Sequence, residues 1–423
     1  MQIALLSGGS GKRLWPLSNE LRSKQFLKLL TGEGGSKESM IQRVYGQIMR
    51  AGLKAEITVA TNKTQAELIR AQLSGEVNIV IEPERRDTFP AIALLAAHLF
   101  FRKKVSEDTP IIVLPIDPYA DKEYFLNLLK MEEAIKSGEA NLVLMGVKPV
   151  YPSQKYGYIK KDNTFVEKPS LQTAEQLVAD GALWNGGVFA FKLGYILEIL
   201  NKYITFDSYK DVERQYALLP KRSFDYEVSE REKSISVVEY KGIWKDLGTW
   251  NTLTEAMSEN ILGAVVMDKC ENTHVINEIG APIVAVGLKN VIVAASPDGI
   301  LVSDKVDSSY LKEYVGEIDR RLMYEEHSWG SFTVLDDSTY EDGANVTVRR
   351  IFVKAGQKSD IVPLDDASVS LTFSNGVGRA LLAGKVTDIK AGDSLQTRGG
   401  AYIVEASEDL FFIETITKTA VDL

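Results

Sequence analysis

The sequence predicts a layered α/β domain with a mainly parallel sheet, followed by a β-rich C-terminal region, and three patterns carry that expectation. Short apolar runs recur at Ile3-Ala4-Leu5-Leu6, Ile57-Thr58-Val59-Ala60, Val77-Asn78-Ile79-Val80-Ile81, Ile111-Ile112-Val113-Leu114 and Leu142-Val143-Leu144-Met145, as strands buried on both faces do. Helix-like stretches separate them, from Met40 to Ala51, Thr64 to Leu73, Pro90 to Lys104 and Lys122 to Ser137, which is the alternation of a parallel sheet. Beyond Trp329 the pattern changes to alternating strands broken by Gly and Asp turns, such as Val346-Thr347-Val348-Arg349-Arg350-Ile351-Phe352-Val353, which fits a β-sandwich or roll. With 423 residues, two or three cores are expected. The predicted domains are 1–258, a short β-rich linker with a helix over 259–325, and 326–423.

Within the first domain, the stretch from Pro90 is apolar on nearly every side, with Thr88 as its expected cap; such a helix needs cover on both faces. His98 on it reads as a packing residue. Cys270 and His274, without companion ligands, read as structural.

Composition excludes several function classes. The chain is 45% apolar and 25% charged with a net charge of -9, so it is globular and has no global attraction for nucleic acid or anionic membrane. One cysteine and three scattered histidines leave no intrachain disulfide and no histidine-based chemistry. No run approaches the roughly 20 apolar residues of a membrane span, and the opening segment lacks a signal-like apolar stretch, so a cytoplasmic protein is predicted.

The chemistry concentrates at glycine turns. Leu6-Ser7-Gly8-Gly9-Ser10-Gly11-Lys12-Arg13-Leu14 follows the first strand; closely spaced glycines let backbone amides face an anion, and Lys12 and Arg13 can neutralise phosphate. It is neither a Walker A loop, since Lys12 precedes Arg13, nor a full dinucleotide fingerprint, since the third glycine is missing. Asp117 closes a buried strand, and Asp246 lies in Trp244-Lys245-Asp246-Leu247-Gly248. Both carboxylates suit Mg2+, which takes oxygen ligands, and both equally suit a cap or a turn.

These segments, together with Lys24-Gln25-Phe26-Leu27, Glu82-Pro83 through Arg86-Asp87-Thr88-Phe89-Pro90, Gly157-Tyr158-Ile159, Phe165-Val166-Glu167-Lys168-Pro169 and Trp184-Asn185-Gly186-Gly187-Val188-Phe189, give residues 1 to about 255 a resemblance to sugar-nucleotide pyrophosphorylases, most of all bacterial mannose-1-phosphate guanylyltransferases. The resemblance implies a Rossmann-like nucleotidyltransferase domain with a mainly parallel mixed sheet, an irregular β-helix-like linker and a cupin-like C-terminal domain. It implies that Leu6, Gly8, Gly9, Gly11, Lys12, Arg13, Glu82, Pro83 and Arg86 bind the nucleotide. Arg13, Lys24, Asp117 and Asp246 would be catalytic, with Asp117 and Asp246 holding Mg2+. Gly157, Glu167, Lys168 and Asn185 would take the sugar phosphate, Gly157 by admitting the sugar closely.

The implied partners are a nucleoside triphosphate, with GTP favoured, and a sugar 1-phosphate, with mannose favoured; a homodimer or higher homo-oligomer is compatible. Another hexose or heptose 1-phosphate, another base, or a non-catalytic regulatory role are the alternatives. The chain departs from the family's usual residues at Lys12, Ser23, Arg85, Asp87, Phe89, Ile116, Pro118 and Gly186. After His327 there is no histidine, so the metal site of cupin-type isomerases is not expected, and the C-terminal domain reads as a scaffold, dimerisation surface or regulatory cover. Pro169 predicts an extended Lys168 reaching into the cleft.

Overall fold

The computed structural model describes residues 1–8, 12–73, 77–318 and 320–419, the side chains of Lys12 and Asp365 excepted. Where three domains are expected, the chain divides into two compact units, one of residues 1–10 and 24–258, the other of 11–23 and 259–423.

The first unit is built on a nine-stranded mixed sheet. Gln2–Ser7 lies between Glu56–Asn62 and Pro110–Pro115, parallel to both, and Asn78–Glu82 extends the sheet in parallel beyond Glu56–Asn62. Leu183–Lys192 runs antiparallel between Pro110–Pro115 and Leu142–Val147. Successive side chains of a strand face opposite ways, and the two cores follow that period. Ile3, Leu5, Ile112 and Leu114 enter one cluster, while Ala4, Ile111 and Val113 enter the other.

Helices cover both faces. Met40–Arg50 starts at a capping box in which Ser39 and Gln42 exchange bonds, and Lys122–Ser137 starts at Asp121 and stops at Gly138 in the left-handed conformation, the two devices that close helix ends. The apolar helix spans Thr88–Ala97, and every residue from Phe89 to Ala97 is buried. Phe89, Ile92 and Leu95 pack on the sheet side, and Ala93, Leu94 and Ala97 pack with Leu200, Tyr209 and Val212. Its cap is Asp87 rather than Thr88: the Asp87 carboxylate accepts from the Thr88 N–H at 2.8 Å, and Thr88 Oγ1 instead accepts from the Phe224 N–H at 2.8 Å. His98 is buried edge-on to Tyr209 at 5.7 Å, and burial lowers its pKa to about 4, a packing role.

In the second unit, Ile261–Leu262, His274–Asn277 and Val291–Ser296 stack in parallel, as do Val265–Asp268 and Ile283–Val286. Successive turns of chain therefore coil over one another as an irregular β-helix. Asn277 ties them, donating to the carbonyls of Ala264 and Ala281 at 2.9 and 2.8 Å. Cys270 donates to the Asp268 carbonyl at 3.3 Å. The helix expected in the linker is a 3-10 turn Asp307–Tyr310 running into Leu311–Val315.

Gly299–Asp304 adds to that stack, antiparallel to Val291–Ser296, and the strands from Tyr324 onward form one eight-stranded antiparallel sheet, beginning with Tyr324–Glu326 and ending with Lys385–Lys390. Val334 near one end and Ile389 at the other lie in the same core with Leu371, Val404 and Phe412, so the sheet rolls around that core. This is consistent with the roll expected from the alternation. Among the described residues, no helix is long and apolar enough to cross a membrane.

Gly263 has φ +85°, and a Cβ there would stand 2.0 Å from the Asn277 carbonyl oxygen. Gly263→Ala should therefore destabilise the coil by at least about 1–3 kcal/mol. The unfolding midpoint of the variant measures it, and an unchanged midpoint would show that the turn relaxes freely.

Candidate active site

Asp117 stands between the buried strand Pro110–Pro115 and the short strand Pro118–Ala120. Trp244–Asp246 pairs antiparallel with Pro118–Ala120, placing Asp246 opposite Pro118, and the Leu247 N–H reaches the Asp117 carbonyl at 3.4 Å. That pairing brings two carboxylates distant in sequence to one end of the sheet. Lys24 Nζ lies 2.7 Å from Asp117 Oδ2 and 3.9 Å from Asp246 Oδ1. Three of the four residues expected to be catalytic thus form one electrostatic cluster. Its anionic donors are hard carboxylate oxygens, the donor type that Mg2+ takes.

The same cavity, about 180 Å³, is lined by Asp117 and Asp246 and also by Gly157, Glu167, Asn185 and Asp225. Asn185 precedes a bulge in its strand where Gly187 takes φ +71°. Its Oδ1 accepts from the Gly187 N–H at 3.1 Å while its Nδ2 donates to Asp225 Oδ1 at 2.7 Å. A Cβ on Gly157 would meet Glu167 Oε2 at 2.5 Å and Phe165 Cζ at 2.6 Å. The glycine therefore makes room for the Glu167 carboxylate, and it lines the cavity itself.

Glu167 is buried and hydrogen-bonds to the Lys168 ammonium. Lys168 is not extended: its φ is +42°. The Glu167 N–H is taken by Glu230 at 3.0 Å, the chain turns there, and the left-handed backbone costs a non-glycine residue roughly 1–3 kcal/mol. The Lys168 side chain, 49% exposed, lies with its ammonium 5.9 Å from the Tyr226 ring centroid. The expectation of a lysine reaching into the cleft from extended backbone is corrected to a lysine held at its edge by Glu167.

Asp225 was not legible in the sequence. It opens a short π-helical turn, Asp225–Ser229, in a segment with no glycine or motif to mark it. Burial raises its carboxyl to about 7, with the Glu167 charge adding to the shift and Lys168 and the Asn185 hydrogen bond opposing it. Tyr156, Trp184 and Trp244 form an aromatic group beside the polar cluster, with Tyr156 centred 4.9 Å from Trp184 and 5.4 Å from Trp244. Of these, Tyr156 and Trp244 line the cavity.

The nucleotide-side expectations fare differently. Leu6 sits in Gln2–Ser7, packed against the second core. Gly8 is exposed, with nothing within 4 Å of where a Cβ would be. Gly9, Gly11 and the Lys12 side chain lie outside the described residues. Arg13 is exposed on the segment 11–23, which packs with the second unit through Asn19 to Asp298 at 2.8 Å and Arg22 to Glu278 at 2.7 Å. Glu82, next to Pro83, accepts from the Tyr216 hydroxyl at 2.8 Å. Arg86 donates from Nη2 to the Leu219 carbonyl at 2.9 Å and from Nη1 to Glu84 at 2.9 Å. Glu82 and Arg86 thus brace the segment around Tyr216 and Leu219.

Comparison with known proteins places this mixed α/β sheet, with carboxylates and a lysine gathered at one end, among the nucleotidyl transferases. The nucleotidyl transferase family model matches residues 3–261. Mannose-1-phosphate guanylyltransferase from Escherichia coli is 32% identical, over 84% of this chain and 81% of that protein. Mannose-1-phosphate guanylyltransferase ManC from Salmonella typhimurium is 30% identical, over 94% of this chain and 90% of its own length. The solved mannose-1-phosphate geranyltransferase from Thermus thermophilus is 30% identical with a TM-score of 0.62, covering 74% of this chain and 98% of its own. The chain belongs to the nucleotidyl transferase family, in its mannose-1-phosphate guanylyltransferase-like branch.

The raised Asp225 carboxyl has a signature in stability. Because its folded value of about 7 exceeds the ordinary 3.8, the folded state binds more protons between about pH 4 and 7, and stability falls as pH rises through that window. Asp225→Asn keeps an acceptor for Asn185 and removes that loss. The variant should gain on the order of 2–4 kcal/mol over wild type at pH 8 relative to their difference at pH 4. Urea unfolding at the two pH values decides it; parallel pH profiles would remove the buried proton.

Proposed function

We propose that this protein is a Mg2+-dependent sugar-1-phosphate nucleotidyltransferase that joins GMP from GTP to mannose 1-phosphate and releases pyrophosphate. The observation that carries the reading is the cavity that combines the Asp117 and Asp246 carboxylates, bridged by Lys24, with the polar set of Glu167, Asn185 and Asp225. A phosphate-bearing substrate needs charge compensation at one part of the site, and a sugar needs paired acceptors and donors at another.

The sugar phosphate is already ionised, so no side chain has to deprotonate it. One of its oxygens bonds to the α-phosphorus while the bond to the bridging oxygen breaks, and that oxygen leaves with pyrophosphate. The obstacle is repulsion between two polyanions and the charge on the leaving group. Asp117 and Asp246 would hold Mg2+, which supplies charge neutralisation and orientation when bound. Lys24 adds positive charge beside them, and Arg13 would add it from the glycine loop. Lys168, braced by Glu167, would grip the sugar phosphate. Asn185 and Asp225 would meet sugar hydroxyls, Asp225 as a donor while it keeps its proton. The aromatic group at Tyr156 and Trp244 shields this part from water.

A matrix of nucleoside triphosphates against sugar 1-phosphates, scored by Mg2+-dependent pyrophosphate release, should peak at GTP with mannose 1-phosphate. A maximum elsewhere would reassign base or sugar, and no turnover in any pair would overturn the activity. Asp117→Asn and Asp246→Asn should each lower kcat at least about 100-fold with the fold retained by circular dichroism; near-normal turnover in both would remove the metal assignment. Lys168→Met should raise KM for the sugar phosphate and lower kcat/KM by about 30-fold or more, with a smaller change in the triphosphate KM. Unchanged constants for the sugar phosphate would take Lys168 out of the site.

A further inference from the structure

The rolled C-terminal sheet encloses a second cavity of about 290 Å³, lined by Arg349, Glu325, His327, Trp329, Asp360 and Tyr402 among others. Its wall contains an expensive feature. Glu414 is fully buried and paired through both carboxylate oxygens with Arg349 Nε and Nη2, the latter at 2.7 Å, and it also accepts from the Tyr402 hydroxyl. Burying an ion pair is often no more stabilising than apolar residues of the same volume. A domain serving only as a scaffold has little reason to keep one beside a cavity. Among the described residues, Arg349 Nη1 takes no hydrogen bond within the protein, so the guanidinium presents an open donor.

Opposite charges are balanced around the rest of the cavity. Arg321 pairs with Asp337 at 3.0 Å, and the two His327 nitrogens stand 3.4 Å from Glu325 and 3.7 Å from Asp360. Asp360 also accepts from the Trp329 indole N–H at 2.9 Å. The His327 ring stacks on Trp329 with centroids 4.9 Å apart and planes at 11°, and lies 5.8 Å from Phe332 at 24°. His327 Nε2 is shielded from solvent and, although 3.4 Å from Glu325, makes no well-aligned hydrogen bond; such atoms are normally satisfied by a ligand or water.

We propose that this cavity is a metal-independent binding site for a neutral, unphosphorylated monosaccharide. The volume is sugar-sized at the lower end of ligand pockets. Carboxylates at Glu325 and Asp360 accept from hydroxyls, Arg349 Nη1 donates to one, and the aromatic stack supplies an apolar wall for ring C–H groups. Because each cation already has an acidic partner, the site has no surplus positive charge for a phosphate. The sugar's hydroxyls, rather than its charge, are what the cavity recognises.

The test uses the full chain, with D-mannose and D-glucose as probes and mannose 6-phosphate as the charged comparison, read by calorimetry and saturation-transfer NMR. Wild type should bind at least one neutral hexose saturably at one per chain. Glu325→Gln, Asp360→Asn and Arg349→Lys should each weaken that binding at least about tenfold while melting within a few degrees of wild type. Arg349→Lys keeps a cation for Glu414, so the pocket's wall survives, and pyrophosphate-release turnover should be unchanged in all three. No saturable binding up to about 50 mM, binding undiminished in the three variants, or tighter binding of mannose 6-phosphate than of its neutral parent would each overturn the proposal.

Discussion

The first unit depends on holding two carboxylates side by side. Asp117 ends a strand buried on both faces, and Asp246 arrives much later in the chain on Trp244–Asp246, positioned by its pairing to Pro118–Ala120. Their mutual repulsion has to be offset by a cation, and Lys24 supplies it. An ammonium about 4 Å from a carboxylate is worth roughly 4 kcal/mol at an effective dielectric near 20, reduced here because all three side chains retain some solvent. The pair is therefore cation-bridged and partly open to solvent.

The other part of the cavity is more deeply buried than the carboxylate pair. Glu167 and Asn185 are buried and Asp225 is half-buried; they pass hydrogen bonds or charge among themselves, and Lys168 reaches toward solvent. Close packing there needs the missing Cβ of Gly157 and the left-handed backbone at Lys168. Strain of this kind persists where the surroundings over-determine the conformation. Here the neighbours are Glu230 on the backbone and Glu167 on the side chain. The result is a preorganised polar surface.

In the second unit the β-helix and the rolled sheet solve different problems. The β-helix hides backbone ends by stacking turns of chain, and Asn277 makes the stack by bonding two carbonyls at once. The rolled sheet surrounds its core with side chains from both of its ends, and its alternation leaves one inward set polar, around Arg349 and Glu414.

The periodic parts of the molecule were determined by the sequence alone. Uninterrupted runs such as Ile111-Ile112-Val113-Leu114 can satisfy two apolar faces only in a central strand, and the all-apolar helix after Asp87 can exist only between a sheet and other helices. The segments bearing Lys24, Asp117 and Asp246 stood out in the sequence too, as charged residues at the ends of apolar or glycine-bearing runs, and the structure brings their side chains together. What the tertiary structure decided is everything carried by pairs without periodicity. Asp225 joins Asn185 and Glu167 through a π-helical turn that no local pattern announces. Lys168 leaves extended backbone because Glu230 holds its neighbour, and Glu82 and Arg86 face Tyr216 and Leu219 across a long stretch of chain. Local sequence sets which conformations a segment can afford, but a side chain's partner is chosen by the packing of elements remote in sequence, and that information exists only once the sheet has closed.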